Sequence, residues 1–302
     1  MAAQSADAAT ARPGPALRGL VGGYHGSRIA GLPPGRHLGL PAPHLGLIIA
    51  LGDPVHLGVM PDPTRPPGSF RALVHGLQTR PAVIAHDGSS YTLSVDLTPA
   101  GCRALFGVPA AALAGAVVGL DDLLGRFADG LAERLAAAPG WPARFAVLDE
   151  VLAGLAARSA GAAPDAVAAG AWRRLVDAGG RLTVAELAAG TGYTRPYLTR
   201  RFVREHGLTP KQVARVVRFA RSHRLLRDLG RARLRQDRPD RPGRPGRSEG
   251  HRTLAEVAAA CGYYDQAHLS REWGELAGCP PSAWLAAERL PFVERAAGPS
   301  AP

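Results

Sequence analysis

Lysine is nearly missing from this chain. Lys211 is the only one in 302 residues, so its 36 basic side chains are otherwise all arginine. With Ala, Gly and Pro also plentiful, this pattern points to a compositional bias of the whole coding sequence, and the position of an arginine matters more than its presence. Cysteine is scarce. Three Cys are too few for a disulfide scaffold and lack zinc-site spacing. No stretch approaches about 18 consecutive apolar residues, so no membrane span is expected. Met1 to Arg18 holds no apolar h-region, being broken by Asp7, Arg12 and two prolines, so no signal peptide is expected and the location is read as cytoplasmic. G-x-S-x-G, a phosphate-binding Gly loop and paired catalytic carboxylates are absent, which argues against an enzyme and supplies no cofactor site.

What is present is a core-forming composition, 46% hydrophobic, and a strong charge of one sign. Against 36 basic residues stand 25 acidic, a net charge of +11. Such a chain has nucleic acid or an anionic surface as its default partner. Divided after Asp165, the first part carries 12 basic and 12 acidic residues and the second 24 and 13, so the whole excess lies in 166–302. A uniform bias would not produce that asymmetry, and the second half is the electrostatic footprint.

Along the chain, residues 1–18 and 296–302 read as loose tails. From Leu45 to Thr98 the pattern is strand-like: Leu47–Leu51, Ser69–His75, Ala82–His86 and Tyr91–Leu97, with Asp87-Gly88 as a hairpin signal between the last two. From Pro99 the period turns helical, over Ala111–Val118, Leu120–Ala138 and Trp141–Ala157. The fold class expected is α+β: a domain over 19–160 with a small β-sheet followed by helices, then an all-α domain over 166–292. Gly230–Gly250, rich in Arg, Pro and Gly, reads as a disordered insertion. A sharper reading makes its arginines a clamp on phosphates or the minor groove.

The second half contains a repeat. Thr183-Val-Ala-Glu-Leu-Ala-Ala-Gly-Thr-Gly-Tyr193 matches Thr253-Leu-Ala-Glu-Val-Ala-Ala-Ala-Cys-Gly-Tyr263 at an offset of 70; past the tyrosines the offset is 71, aligning Leu198 with Leu269, Phe202 with Trp273 and Gly207 with Gly278. The second copy thus has one extra residue in its turn. Thr-x-x-Glu is a capping box that starts a helix. The Gly permits a turn, the Tyr after it can pack between helices, and a second helix follows with Leu and Phe/Trp four apart on its buried side. This is a helix-turn-helix, at about 183–207 and again at about 253–278, with a linker helix at about 210–229. In such a unit the second helix enters the major groove. The first exposes Arg195, Thr199, Arg200 and Arg204; the second exposes Gln266, His268, Ser270 and Arg271. Arg favours G and Gln favours A. A plain helical hairpin repeat is the alternative, which the basic, hydrogen-bonding faces disfavour.

These residues resemble the AraC/XylS family of bacterial transcription regulators over about 170–290, most closely in Ala258-x3-Gly262-Tyr263-x-Asp265-Gln266-Ala267-His268-Leu269-Ser270-Arg271-x-Trp273, then Gly278-x-x-Pro281-x-x-Trp284. The resemblance implies two recognition helices in successive major grooves of double-stranded DNA, with base contacts at Arg195, Pro196, Thr199 and Arg200 and at Gln266, Ala267, His268 and Arg271. It implies a bacterial regulator, with a leaning to activation and RNA polymerase as partner, and a first domain that binds a small effector or forms a homodimer. Pro196 departs from the pattern because it brings no hydrogen-bonding side chain. The insertion is about 20 residues longer than the family's usual connection.

The first domain has no ligand motif. Six of ten histidines precede residue 100: His25, His37, His44, His56, His75 and His86. Without an H-x-H or H-x3-H pair they read as surface or packed histidines rather than metal ligands. Cys102 reads as a small buried hydrophobe. Two other functions stay open: a metal-dependent enzyme domain regulated by the DNA-binding half, and a non-specific architectural DNA protein.

Overall fold

The computed structural model describes residues 5–158, 163–236 and 253–287, with side chains except at 231–236 and 287. Ten strands come first: β1 (Ser5–Ala11), β2 (Val21–Ala30), β3 (Gly35–Gly39), β4 (Leu45–Ala50), β5 (Val55–Val59), β6 (Gly68–Phe70), β7 (Ala72–His75), β8 (Ala82–His86), β9 (Ser90–Leu97) and, after helix α1 (Pro99–Phe106), β10 (Val117–Gly119). They form two antiparallel sheets, in the orders β1-β2-β9-β4-β7-β10 and β3-β8-β5-β6. Helices α2 (Leu120–Leu124), α3 (Phe127–Ala137) and α4 (Gly140–Arg158) complete this part. The rest is helical: α5 (Ala166–Asp177), α6 (Val184–Ala189), α7 (Arg195–His206), α8 (Pro210–Gln236), α9 (Leu254–Cys261), α10 (Gln266–Ala277) and α11 (Pro281–Ala287). The α+β class holds.

Several expectations are corrected. Residues 1–18 are not all tail. Strand β1 pairs with β2 from Ser5↔Ala30 to Ala11↔Tyr24, and Leu17 is fully buried. The pairing is held from outside by Trp141 of α4, whose Nε1 donates to Asp7 at 2.8 Å and whose indole lies where a side chain on Gly26 would be. Asp87-Gly88 is not a hairpin: β8 belongs to one sheet and β9 to the other. Asp87 Oδ1 accepts from the Ser89 amide and hydroxyl, an Asx turn, and the Gly88 carbonyl accepts from Leu32 N at 3.1 Å, so the chain crosses between sheets. The run Ser69–His75 likewise divides into β6 and β7, one in each sheet. Ala111–Val118 is not an α-helix but a 3₁₀ turn (Ala110–Leu113) followed by β10, whose Val117–Gly119 pairs with His75–Leu73. Leu120–Ala138 breaks at Gly125 into α2 and α3. Helix α8 runs past 229 to Gln236, so the first residues read as insertion continue the helix; Ala, Leu, Arg and Gln all favour it. Residues 237–250 of that insertion, and the tail 296–302, lie outside the described residues.

The cores do not follow the division made by charge. One continuous core joins the sheets (Leu45, Leu47, Leu93, Val95), the helices of the first part (Leu131, Phe145, Leu148) and the first helix-turn-helix (Leu187, Leu198, Phe202), down to Val213 and Val217 of α8. A second core gathers Val257, Leu269, Trp273 and Trp284 around Val216, Phe219 and Leu226 on another side of α8.

Candidate nucleic-acid interface and a histidine-lined cavity

Both units form as their caps dictate. Thr183 Oγ1 accepts from Glu186 N at 3.2 Å while Glu186 Oε2 accepts from Thr183 N at 2.8 Å; Thr253 and Glu256 repeat this at 3.2 and 2.6 Å. The second helices of the two units, α7 and α10, bury Leu198 and Phe202, and Leu269 and Trp273, all at 0% exposure. The turn tyrosines differ. Tyr263 is buried, as expected of a residue packed between helices, whereas Tyr193 is 44% exposed and stacks on Tyr197 with centroids 4.9 Å apart.

The linker helix ties down the second unit by ion pairs, and residues outside it tie down the first. Thr209 and Gln212 cap its start reciprocally, ahead of Pro210 at its first position. Its Arg215 and Arg218 donate to Glu272 Oε1 of α10 at 3.1 and 2.9 Å, Arg215 also reaches Glu275, and Glu272 is buried. On the first unit, Arg201 donates to Asp165 Oδ2 at 2.5 Å and to the Tyr197 hydroxyl. Arg103 of α1 grips Glu205 at the end of α7 through Nη2–Oε2 at 2.8 Å and Nε–Oε1 at 3.2 Å, with both side chains largely buried.

This sorts the arginines. Arg201, Arg215 and Arg218 hold the fold together. Arg195, Arg200, Arg204 and Arg271 are exposed and have no carboxylate partner among the described residues. They extend from the outer faces of α7 and α10, with Pro196, Gln266 and Ala267 exposed beside them and Thr199 and Ser270 half-buried. His268 is held more closely than the sequence suggests. Its Nδ1 accepts from Tyr264 N at 3.3 Å, Nε2 lies 3.6 Å from Glu272 Oε1, and its ring meets Tyr263 edge-on at 5.4 Å. Tyr264, the extra residue of the second turn, is 94% exposed.

The histidines of the first part are neither scattered nor simply packed. All six line one cavity of about 990 Å³, with His223 of α8 as a seventh. They come from strands β2, β3, β5, β7 and β8 and the residue before β4. Asp96 of β9 sits between His25 Nε2 (3.1 Å to Oδ2) and His44 Nδ1 (3.6 Å to Oδ1). Gly46 opposes Asp96 on one side and His75 on the other, and the His75 ring occupies the space a Gly46 side chain would need. His37 is pushed down to about 3 by burial and by neighbouring His86. Ile48, Leu73, Ile84 and Tyr91 supply apolar wall, and Ala220, Arg224, Arg227 and Trp284 close the cavity from the helical part. Among the described residues no group of three or more His, Cys, Asp or Glu is arranged to hold a metal ion. Cys102 is fully buried and its thiol is pushed up to about 12 by that burial. No helix among the described residues is long and apolar enough to cross a membrane.

The class of protein defined by these parts is a two-sheet domain carrying a cavity, followed by a pair of helix-turn-helix units on one linker helix. Residues 9–119 match a family described as a domain of unknown function, DUF6597. No curated protein matches the chain. Among solved structures, ToxT from Vibrio cholerae O395 is similar with a TM-score of 0.49 at 10% identity, over 87% of this chain and 97% of that one. ToxT from V. cholerae strain SCE256 with an unsaturated fatty acid bound has a TM-score of 0.46 at 9% identity, over 87% and 94%. The AraC-like transcriptional activator CuxR has a TM-score of 0.28 at 15% identity, over 74% and 86%.

Proposed function

We propose that this chain is a sequence-specific DNA-binding transcription regulator of the AraC/XylS type, with a first domain that senses a small molecule. The observation that carries this reading is the pairing of two capped helix-turn-helix units, each presenting unpaired arginine from its second helix and each anchored by buried ion pairs. Arginines held in this way outside a rigid scaffold suit phosphate anchoring and bidentate readout of guanine. Bases are read by Arg195, Thr199, Arg200 and Arg204 in one groove and by Gln266, Ser270 and Arg271 in the next; Pro196 and Ala267 supply apolar contact. His268, tied to its own turn, orients the helix start. The cavity is the effector site, because a ligand there would touch the sheet domain and α8 together. Action as an activator through RNA polymerase and assembly as a homodimer follow from the same reading.

Selection of bound duplexes from a randomised pool tests the proposal. A recurrent motif with two half-sites about one helical turn apart supports it. Equal retention of all sequences would replace it with non-specific architectural binding.

A further inference from the structure

Each turn that precedes a recognition helix presents one tyrosine to solvent, and the two turns reach that result by different routes. In the first unit it is the motif tyrosine, Tyr193, steadied by its stack on Tyr197. In the second the motif tyrosine, Tyr263, is buried, and the one inserted residue, Tyr264, takes its place outside. The backbone at Tyr264 is pinned. Its N–H donates to His268 Nδ1, and the next residue, Asp265, caps α10 by accepting from His268 N at 2.7 Å. Its side chain, by contrast, is the most exposed large hydrophobic among the described residues. A fixed backbone under a fully solvated ring places a side chain without giving it an intramolecular role.

A recognition helix enters the major groove by its N-terminal end, so the residue just ahead of that end meets the groove lip, where the sugar–phosphate strand runs. We infer that Tyr264 donates its phenolic O–H to a backbone phosphate beside the second half-site, and that Tyr193 does the same beside the first, setting the depth of each helix. The inference rests on the DNA-binding reading above. A neutral hydroxyl displaces no counterion, so this contact has a signature distinct from that of arginine: affinity changes while the salt dependence does not.

The test compares the full chain with Tyr264→Phe and Tyr264→Ala on a selected duplex and on an unrelated duplex, over a series of salt concentrations. Loss of one exposed hydrogen bond corresponds to roughly 3- to 10-fold weaker binding. Tyr264→Phe is expected to show that loss on both duplexes, with the slope of log K against log salt unchanged and thermal stability unaltered. Replacing the flanking phosphates one at a time by methylphosphonate should find a single position at which wild type and Tyr264→Phe bind equally. Tyr264→Phe binding as wild type does would overturn the inference, as would a loss confined to one base pair of the selected site. If the wild-type chain prefers no duplex, it is the DNA-reading proposal that fails, and this inference falls with it.

Discussion

The pair Arg103–Glu205 joins helix α1 of the first part to the last turn of α7. Three N–H···O contacts of 2.8 to 3.2 Å connect them across 102 residues of chain, and the side chains are 16% and 7% exposed. Charge-assisted, multiply bonded geometry of this kind is the strong form of the interaction, but its desolvation cost is also high. The informative quantity is therefore the coupling, not either deletion alone. Arg103→Met strands a buried carboxylate and should cost about 3 to 5 kcal/mol. Glu205→Leu leaves the more exposed partner, Arg103, and should cost less. The double variant Arg103→Met/Glu205→Leu replaces two charges by apolar side chains of similar size and should recover much of the loss, giving a coupling of about 2 kcal/mol or more. Urea denaturation at neutral pH measures all four corners of the cycle. Added salt should change the coupling little, since buried charges are poorly screened. Two single losses below about 1 kcal/mol that simply add in the double variant would refute the argument that this pair holds the domains together.

Three further expectations follow from the same geometry. Arg271→Ala and Arg200→Ala should each cost about 1 to 3 kcal/mol on a selected duplex and relax preference at one base pair, read by competition among single-base variants; uniform weakening would mark them as phosphate anchors. His37 is pushed down to about 3 by burial and by His86, so it stays neutral in the folded chain over a range in which the unfolded chain, near 6.5, is protonated. Its contribution is complete above pH 6.5 and is lost as pH falls from there towards about 3, at up to about 1.4 kcal/mol per pH unit; His37→Gln should flatten the acid limb of a stability–pH curve. Gly207 has φ +76°, and a side chain there would strike Ala114 and lie 3.0 Å from Ala111 Cα. Gly207→Ala should therefore destabilise by about 2 to 4 kcal/mol in thermal unfolding, and a smaller change would mean that the 3₁₀ turn yields.

The helix-turn-helix units were legible because their signals are local. A capping box acts over three residues and Leu198–Phe202 or Leu269–Trp273 over four, so spacing alone marks the buried side. The cavity is not legible in the sequence, since the six histidines of the first part become adjacent only once β2, β3, β4, β5, β7 and β8 are assembled, and no pair sits at ligand spacing in the chain. The crossing at Asp87-Gly88 is hidden for a related reason: the dipeptide specifies a turn, but which sheet each strand joins depends on distant partners. The same limit applies to the arginines. Arg201 and Arg200 are neighbours, yet one is committed to Asp165, 36 residues away, and the other faces solvent. Arg215 finds Glu272 at a separation of 57. Composition cannot rank such residues; only the fold does.

Helix α8 has three tenants. Val213 and Val217 belong to the core shared with the sheets, Val216, Phe219 and Leu226 to the core of the second unit, and Ala220, His223, Arg224 and Arg227 to the cavity wall. Neighbours in sequence, such as Val216 and Val217 or Leu226 and Arg227, thus answer to different parts of the molecule, about 100° apart around the axis. Substitutions between 213 and 227 are then not independent trials. Widening the cavity at Ala220 changes the seat of Phe219 next to it, and repacking Phe219 shifts the second unit. In a library randomised over this stretch, the survivors should carry changes in matched sets drawn from all three surroundings, while the exposed outer face of α10 tolerates change one residue at a time.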